Sequence, residues 1–288
     1  MGCARPWLNT SFFCAFFLEK RAFLFDMIIE DRYNKPWVRY EYVLVLNLYL
    51  KMPFGKMHKA NRDIIELAKL MKRTPDSVAM RLVNFAALDP VLAGRNIKGL
   101  RGGIDQCKPY WDEFCGDRES LVFESESILA DIQSTTIEDK YNEFLDFDRF
   151  VQGETRLKEV KTRVNQYVFR QMILSLYDNR CAITGINISD LLLASHIKPW
   201  SIDVDNRLNP QNGICLCAMY DRAFDQGLIS FDNQYRVMLS PRLKGFCSEK
   251  FFDYYFGKIE GRELMIAYED YRPDVNFLEY HYDCIFQR

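Results

Sequence analysis

An imidazole, an amide and two carboxylates between positions 195 and 226 are the side chains best suited to chemistry. Asp221 and Asp225 stand four residues apart, so on a helix both carboxylates leave the same face. Two like charges side by side repel unless something cationic lies between them. The two hard oxygen donors favour Mg²⁺ or Mn²⁺ there over a zinc ion held by thiolates. The imidazole of His196, with an ordinary pKa of about 6.5, can take a proton from water at neutral pH. From a facing strand it would stand across such an ion from the two acids. Asn212 can hydrogen-bond across a loop and hold the histidine strand in place. Each residue also has an ordinary reading: a core histidine, an Asp225 paired with Arg222, an Asn-Gly turn.

The surrounding pattern supplies elements to position them. Residues 191–196 read as a strand that Pro199 ends, and a polar loop with Asp203, Asp205, Asn206 and Asn209 follows. Residues 213–217 form a second apolar strand, and residues 218–226 a short helix closed by Gly227 at its C′ position. The order is strand, loop, strand, helix. Upstream, Val160, Val164, Val168, Met172 and Leu176 recur every four residues, which predicts a long helix over 156–178. Its other face carries Lys158, Lys161, Arg163 and Arg170. Arg163 and Arg170 are candidates for phosphate contact, as are Lys198 and Arg222.

The N-terminal half reads as helical. Residues 40–49 are apolar and flanked by Pro36 and Pro53, and residues 60–71 place Ile64, Leu67 and Met71 at helical spacing. Thr74 is a good N-cap, Pro75 suits the first helical position, and a second helix runs over 77–88 to the stop at Asp89-Pro90. Two helices joined by a tight turn, with Lys72, Arg73 and Arg81 beside it, make a helix-turn-helix-like unit that could meet DNA. An ordinary helical hairpin with solvated charges is the alternative.

Charge is strongly segregated. The chain of 288 residues has a formal net charge of −2, yet positions 51–101 hold eleven Lys and Arg against four acids. Positions 105–148 hold thirteen acids against Lys108, Arg118 and Lys140, and read as an acidic connector. The resulting division is an N-terminal extension over 1–26 with little structure, a recognition domain over 27–102, the connector over 103–155 and a catalytic domain over 156–288. Met27 is the candidate natural start. Nine cysteines without paired Cys-x-x-Cys spacing exclude a disulfide framework and fit a reducing cytoplasm. The apolar run at 11–18 is too short to span a bilayer, which needs about 18 residues or more.

Four motifs stand in this order: Cys-Ala-Ile-Thr-Gly at 181–185, Ser-His-Ile-Lys-Pro-Trp at 195–200, Asn-Gly-Ile-Cys-Leu at 212–216 and Phe-Asp-Gln-Gly-Leu at 224–228. Together they resemble the HNH, or ββα-metal, endonuclease family over roughly 165–240. The segments at 73–90 and 277–286 are similar to regions that accompany bacterial HNH nucleases of restriction type. The resemblance implies an α+β chain, with a helix-turn-helix-like N-terminal domain and a C-terminal ββα-metal HNH nuclease domain. It implies His196 as general base, Asn212 as positioning asparagine, and Asp221 as metal ligand where many relatives have histidine. It also implies hydrolysis of a DNA phosphodiester with Mg²⁺ or Mn²⁺ in bacterial defence, with a homodimer as the geometric expectation if both strands are cut. Ser195 departs from the family, which often has a metal-binding Asp or His there. The hydroxyl is a poorer metal ligand, and the departure keeps open a DNA-binding regulator whose nuclease site has decayed; a low-specificity nicking or repair nuclease is a separate second enzyme reading.

Overall fold

The computed structural model describes residues 32–142 and 154–288. The N-terminal extension expected over 1–26, and Met27, lie outside the described residues.

Helix α1, Arg39–Leu50, is apolar on nearly every side, and such a helix is stable only when surrounded. It is surrounded: Val43, Leu44, Val45 and Leu46 are all buried, with α2 (Arg62–Leu70), α3 (Pro75–Ala86), α4 (Arg101–Phe114) and α5 (Arg118–Ile132) forming the rest of this helical body. The Asn61 side chain caps α2 by accepting from Asp63 N at 2.8 Å, and Thr74 caps α3 by accepting from Ser77 N at 3.2 Å. The second helix therefore starts at Pro75, two residues before the sequence pattern placed it.

Two expectations are corrected here. Arg73 is not a free cation on the α2–α3 turn. Its guanidinium donates to both Glu41 oxygens at 2.7 and 2.8 Å, and both side chains are buried. Arg81 is buried as well, stacked over Trp37 and Tyr42 and donating to Gln106 Oε1 at 3.1 Å. A buried guanidinium is retained only where carboxylates, carbonyls and rings satisfy it, and these two are so satisfied. Nor is the acidic stretch a connector. Its described part folds into α4, α5 and α6 (Ile137–Tyr141), and Cys107, Phe114, Leu121 and Ile128 join the same core as α1. The acids that suggested a solvated linker are paired. Arg39 meets Glu113 at 2.6 Å and Glu124 at 3.2 Å. The buried Glu126 accepts from Lys51, from Lys140 at 2.7 Å and from Tyr141 at 2.6 Å; burial works against its charge, yet the two lysines hold its carboxyl far below the usual range.

The C-terminal body is organised on α7, Glu154–Leu176, whose Val160, Val164, Val168, Met172 and Leu176 are all buried as the four-residue repeat requires. Against it lies an antiparallel hairpin of β1 (Leu192–His196) and β2 (Gly213–Cys217), in register Ser195↔Ile214 and His196↔Gly213. Helix α8, Ala218–Asp225, follows β2 directly. A second hairpin, β3 (Ile229–Phe231) with β4 (Val237–Leu239), and the late helix α9 (Val275–Cys284) close its far side. Gly227 stops α8 with φ +64°, and a Cβ there would fall 2.0 Å from the Ile285 carbonyl oxygen, so the position admits only glycine. The two bodies meet where α5 packs on α7. No helix among the described residues is long and apolar enough to cross a membrane.

Candidate active site

His196 ends β1, where the strand's alternation turns its ring away from the buried Ser195 and Ile197 backbone neighbours. One face of the ring stacks on Phe169 of α7, with centroids 3.7 Å apart, and the Trp200 ring meets it nearly perpendicular at 5.4 Å. Its Nε2 lies 2.9 Å from the Arg207 carbonyl oxygen. A carbonyl can only accept, so Nε2 carries the proton and Nδ1 keeps its lone pair. Burial pushes the ring pKa down to about 4, partly offset by the bond to Arg207, so the imidazole is neutral at pH 7. Three contacts and one tautomer define this histidine.

Asn212 is fully buried and grips the chain just past β1. Its Oδ1 accepts from Lys198 N at 2.8 Å, and its Nδ2 donates to Lys198 O at 3.1 Å and Asn206 O at 3.3 Å. It does not face the cleft.

Helix α8 presents Asp221 and Asp225 to a cleft of about 450 Å³ that Ser195, His196 and Arg222 also line. Ser195 donates its hydroxyl proton to Asp221 Oδ1 at 2.5 Å, which orients that carboxylate and leaves the serine oxygen's lone pairs open. Asp225 is exposed at the rim. Partial desolvation and then the Asp221 charge raise its carboxyl above the ordinary range, with Arg222 offsetting part. This is the electrostatic situation a divalent cation relieves, and every donor is a hard oxygen, so the residues fit such an ion in kind. Among the described residues no three His, Cys, Asp or Glu side chains converge as a ready metal cage. Water or phosphate oxygens would have to complete the coordination.

The second histidine lining the cleft, His281 on α9, is held by the fold. It stacks on Phe224 at 3.7 Å, its Nε2 donates to Phe224 O at 3.1 Å, and its Nδ1 accepts from Ser230 Oγ at 2.9 Å. Both ring nitrogens are occupied.

The basic candidates divide. Arg222 is exposed in the cleft, and Arg163 and Lys72 are exposed elsewhere on the surface. Arg170 is not available for phosphate. It donates to Leu192 O at 2.5 Å and Ser189 O at 3.0 Å, bracing the start of β1 against α7. Lys198 is engaged with Asp203 at 2.9 Å and lies over the Tyr280 ring. Sequence reasoning missed the parts played by Phe169 and Arg207. Phe169 was hidden inside an ordinary helical stripe, and Arg207 acts through its backbone carbonyl, which no side-chain pattern encodes. Trp200 stood in a motif but had no assigned part.

A hairpin and one short helix bring a histidine and two carboxylates to a common cleft, in the strand, strand, helix order read from the sequence. Residues 181–232 match the model of the HNH endonuclease family, described as HNH endonuclease. The chain thus carries an HNH endonuclease domain, and with it the hydrolysis of phosphodiester bonds. No curated protein matches the chain.

Packing at this site is tight enough to make one prediction. Gly213 pairs with His196 across the hairpin, and a Cβ there would sit 2.5 Å from Ile173 Cδ1 and 2.7 Å from Phe169 Cζ. Gly213→Ala should therefore push Phe169 out of its stack with His196. We expect a stability loss of about 1–3 kcal/mol in urea unfolding, with cleavage falling in samples that are still fully folded. Wild-type stability and cleavage in that variant would show that the aromatic stack does not depend on this close approach.

Proposed function

We propose that this chain is a divalent-metal-dependent DNA endonuclease in which His196 is the general base. The observation that carries the reading is the Nε2–Arg207 carbonyl bond, because it leaves Nδ1 unprotonated on a ring that borders the cleft of Asp221 and Asp225. His196 takes a proton from the attacking water at Nδ1. Asn212 fixes the backbone just beyond the histidine, and the ring faces of Phe169 and Trp200 keep the imidazole from turning. Asp221 and Asp225, with the Ser195 oxygen, would hold Mg²⁺ or Mn²⁺, which supplies neutralisation of the charge that develops on the phosphate. Arg222 is a cleft cation placed to steady a phosphate oxygen, and Arg163 and Lys72, exposed elsewhere on the surface, stand as further candidates for phosphate contact.

A restriction-type role in defence would give the α2–α3 unit the task of target recognition. The burial of Arg73 and Arg81 favours a second reading. With both guanidiniums turned inward, fewer side chains remain to read base edges, which suits a nuclease of low sequence preference.

Incubation of the protein with supercoiled plasmid tests the proposal. Cleavage should require Mg²⁺ or Mn²⁺ and stop with a chelator, and the double substitution of Asp221→Asn and Asp225→Asn should lower it by about a hundredfold or more. Equal cleavage in chelator, or by the double variant, would refute metal dependence at these carboxylates. Discrete fragments from linear DNA would select restriction, and a smear would select low specificity.

A further inference from the structure

The carbonyl that sets the tautomer of His196 belongs to a loop, residues 201–209, with no strand or helix of its own length to stiffen it. The loop's own polar side chains tie it at Asn206, which donates to Asp203 at 3.1 Å and accepts from Asn209 at 2.9 Å. Asn212 holds it at Asn206. The next two loop residues are held from the other body of the protein. At the first turn of α5, Arg118 Nη1 donates to Leu208 O at 3.1 Å, and the next residue, Glu119, forms an ion pair with Arg207 at 3.4 Å. Arg207 itself donates from Nε to Trp200 O at 2.9 Å and lies over the Trp200 ring, so one residue touches α5, the tryptophan and the histidine. The Arg118 side chain also lies within electrostatic reach of Asp89, the residue that ends the helix-turn-helix-like unit and that accepts from Tyr49 at 2.5 Å.

We propose that Arg118 and Glu119 are positioning residues for catalysis: the helical N-terminal body clamps residues 207–208, and through the Arg207 carbonyl it fixes the tautomer and angle of His196. The inference rests on the reading of His196 as the base, and it adds how that base is controlled. Adjacent residues on α5 grip adjacent residues of the loop, one at a carbonyl and one at a side chain, so loop rotation is opposed from two directions. Any displacement of α5 relative to α7 moves the carbonyl, and with it the histidine. The N-terminal body is then a part of the active site without lining it.

The test uses the full chain with Arg118→Ala, Arg118→Lys and Glu119→Gln. Single-turnover cleavage should fall between roughly tenfold and a hundredfold in Arg118→Ala, with DNA affinity unchanged, because geometry and not binding is lost. Arg118→Lys, which can still donate to Leu208 O, should recover much of the rate. Nitrogen-15 shifts of the imidazoles, assigned with His196→Ala, should show the His196 Nε2–H form giving way to a mixture of tautomers in Arg118→Ala and, to a smaller degree, in Glu119→Gln. A single unchanged tautomer with wild-type rates in Glu119→Gln and Arg118→Ala overturns the clamp. Should Arg118→Ala fail to fold, Glu119→Gln alone decides, since its ion pair is partly exposed. Should His196→Ala cleave as well as wild type, the base assignment is what has failed, whatever the tautomer does.

Discussion

Replacing His196 by alanine should reduce single-turnover DNA cleavage by about 10²–10⁴-fold, the usual worth of a general base, while DNA affinity stays near wild type. The size follows from the chemistry of the cleft. No other described side chain lining it carries a neutral nitrogen base with an open lone pair, since both nitrogens of His281 are hydrogen-bonded. The phosphate contacts proposed for Arg222, Arg163 and Lys72 are untouched by the change, so binding should persist. Removal of the ring deprives Phe169 of a stacking partner, which would lower stability somewhat, and rates must therefore be compared in fully folded samples. A variant that keeps more than a tenth of the wild-type rate, with DNA bound equally well, would sink the assignment of the base.

The second large effect concerns folding. Glu41→Ala should cost about 3–5 kcal/mol, because it strips a buried carboxylate from buried cations. Glu41 is fully buried on α1. It receives Arg73 at 2.7 and 2.8 Å, lies 3.5 Å from Arg32, and accepts from Val38 N at 2.9 Å to cap its own helix. Alanine would leave the Arg73 guanidinium in a space it cannot leave without dismantling the α1–α3 contact. A loss of that size is a large part of a typical domain's stability. Urea denaturation read by circular dichroism measures it, and a shift below about 1 kcal/mol would mean that the site admits water and the pair is effectively exposed.

How much of this was legible in the sequence depends on the kind of interaction involved. The ββα elements were, because their signals are local. Pro199 ends a strand, residues 213–217 are uniformly apolar, and Gly227 marks a helix stop, so strand and helix limits fell within about a residue or two of those observed. The long helix was legible from its four-residue repeat. The packing of α4 and α5 was not. Thirteen acids in that region outweighed the apolar positions Leu121, Val122 and Ile128, and their partners, such as Arg39 and Lys51, lie far away in the chain. The same blindness to distant pairing made Arg73, Arg81 and Arg170 look like surface cations. A guanidinium reads identically in a sequence whether it meets a phosphate or a carboxylate of its own fold.

The seating of α8 has a consequence for the order in which this molecule is made. The back of that helix rests on His281, and the glycine that ends it is covered by the Ile285 carbonyl and by Gln287, whose backbone N donates to Gly227 O at 2.9 Å. A ribosome that has released the hairpin and the acidic helix has therefore not yet supplied what buttresses them. The seat that carries Asp221 and Asp225 is complete only after α9 has emerged, and until then a nascent chain carries the motif without its support.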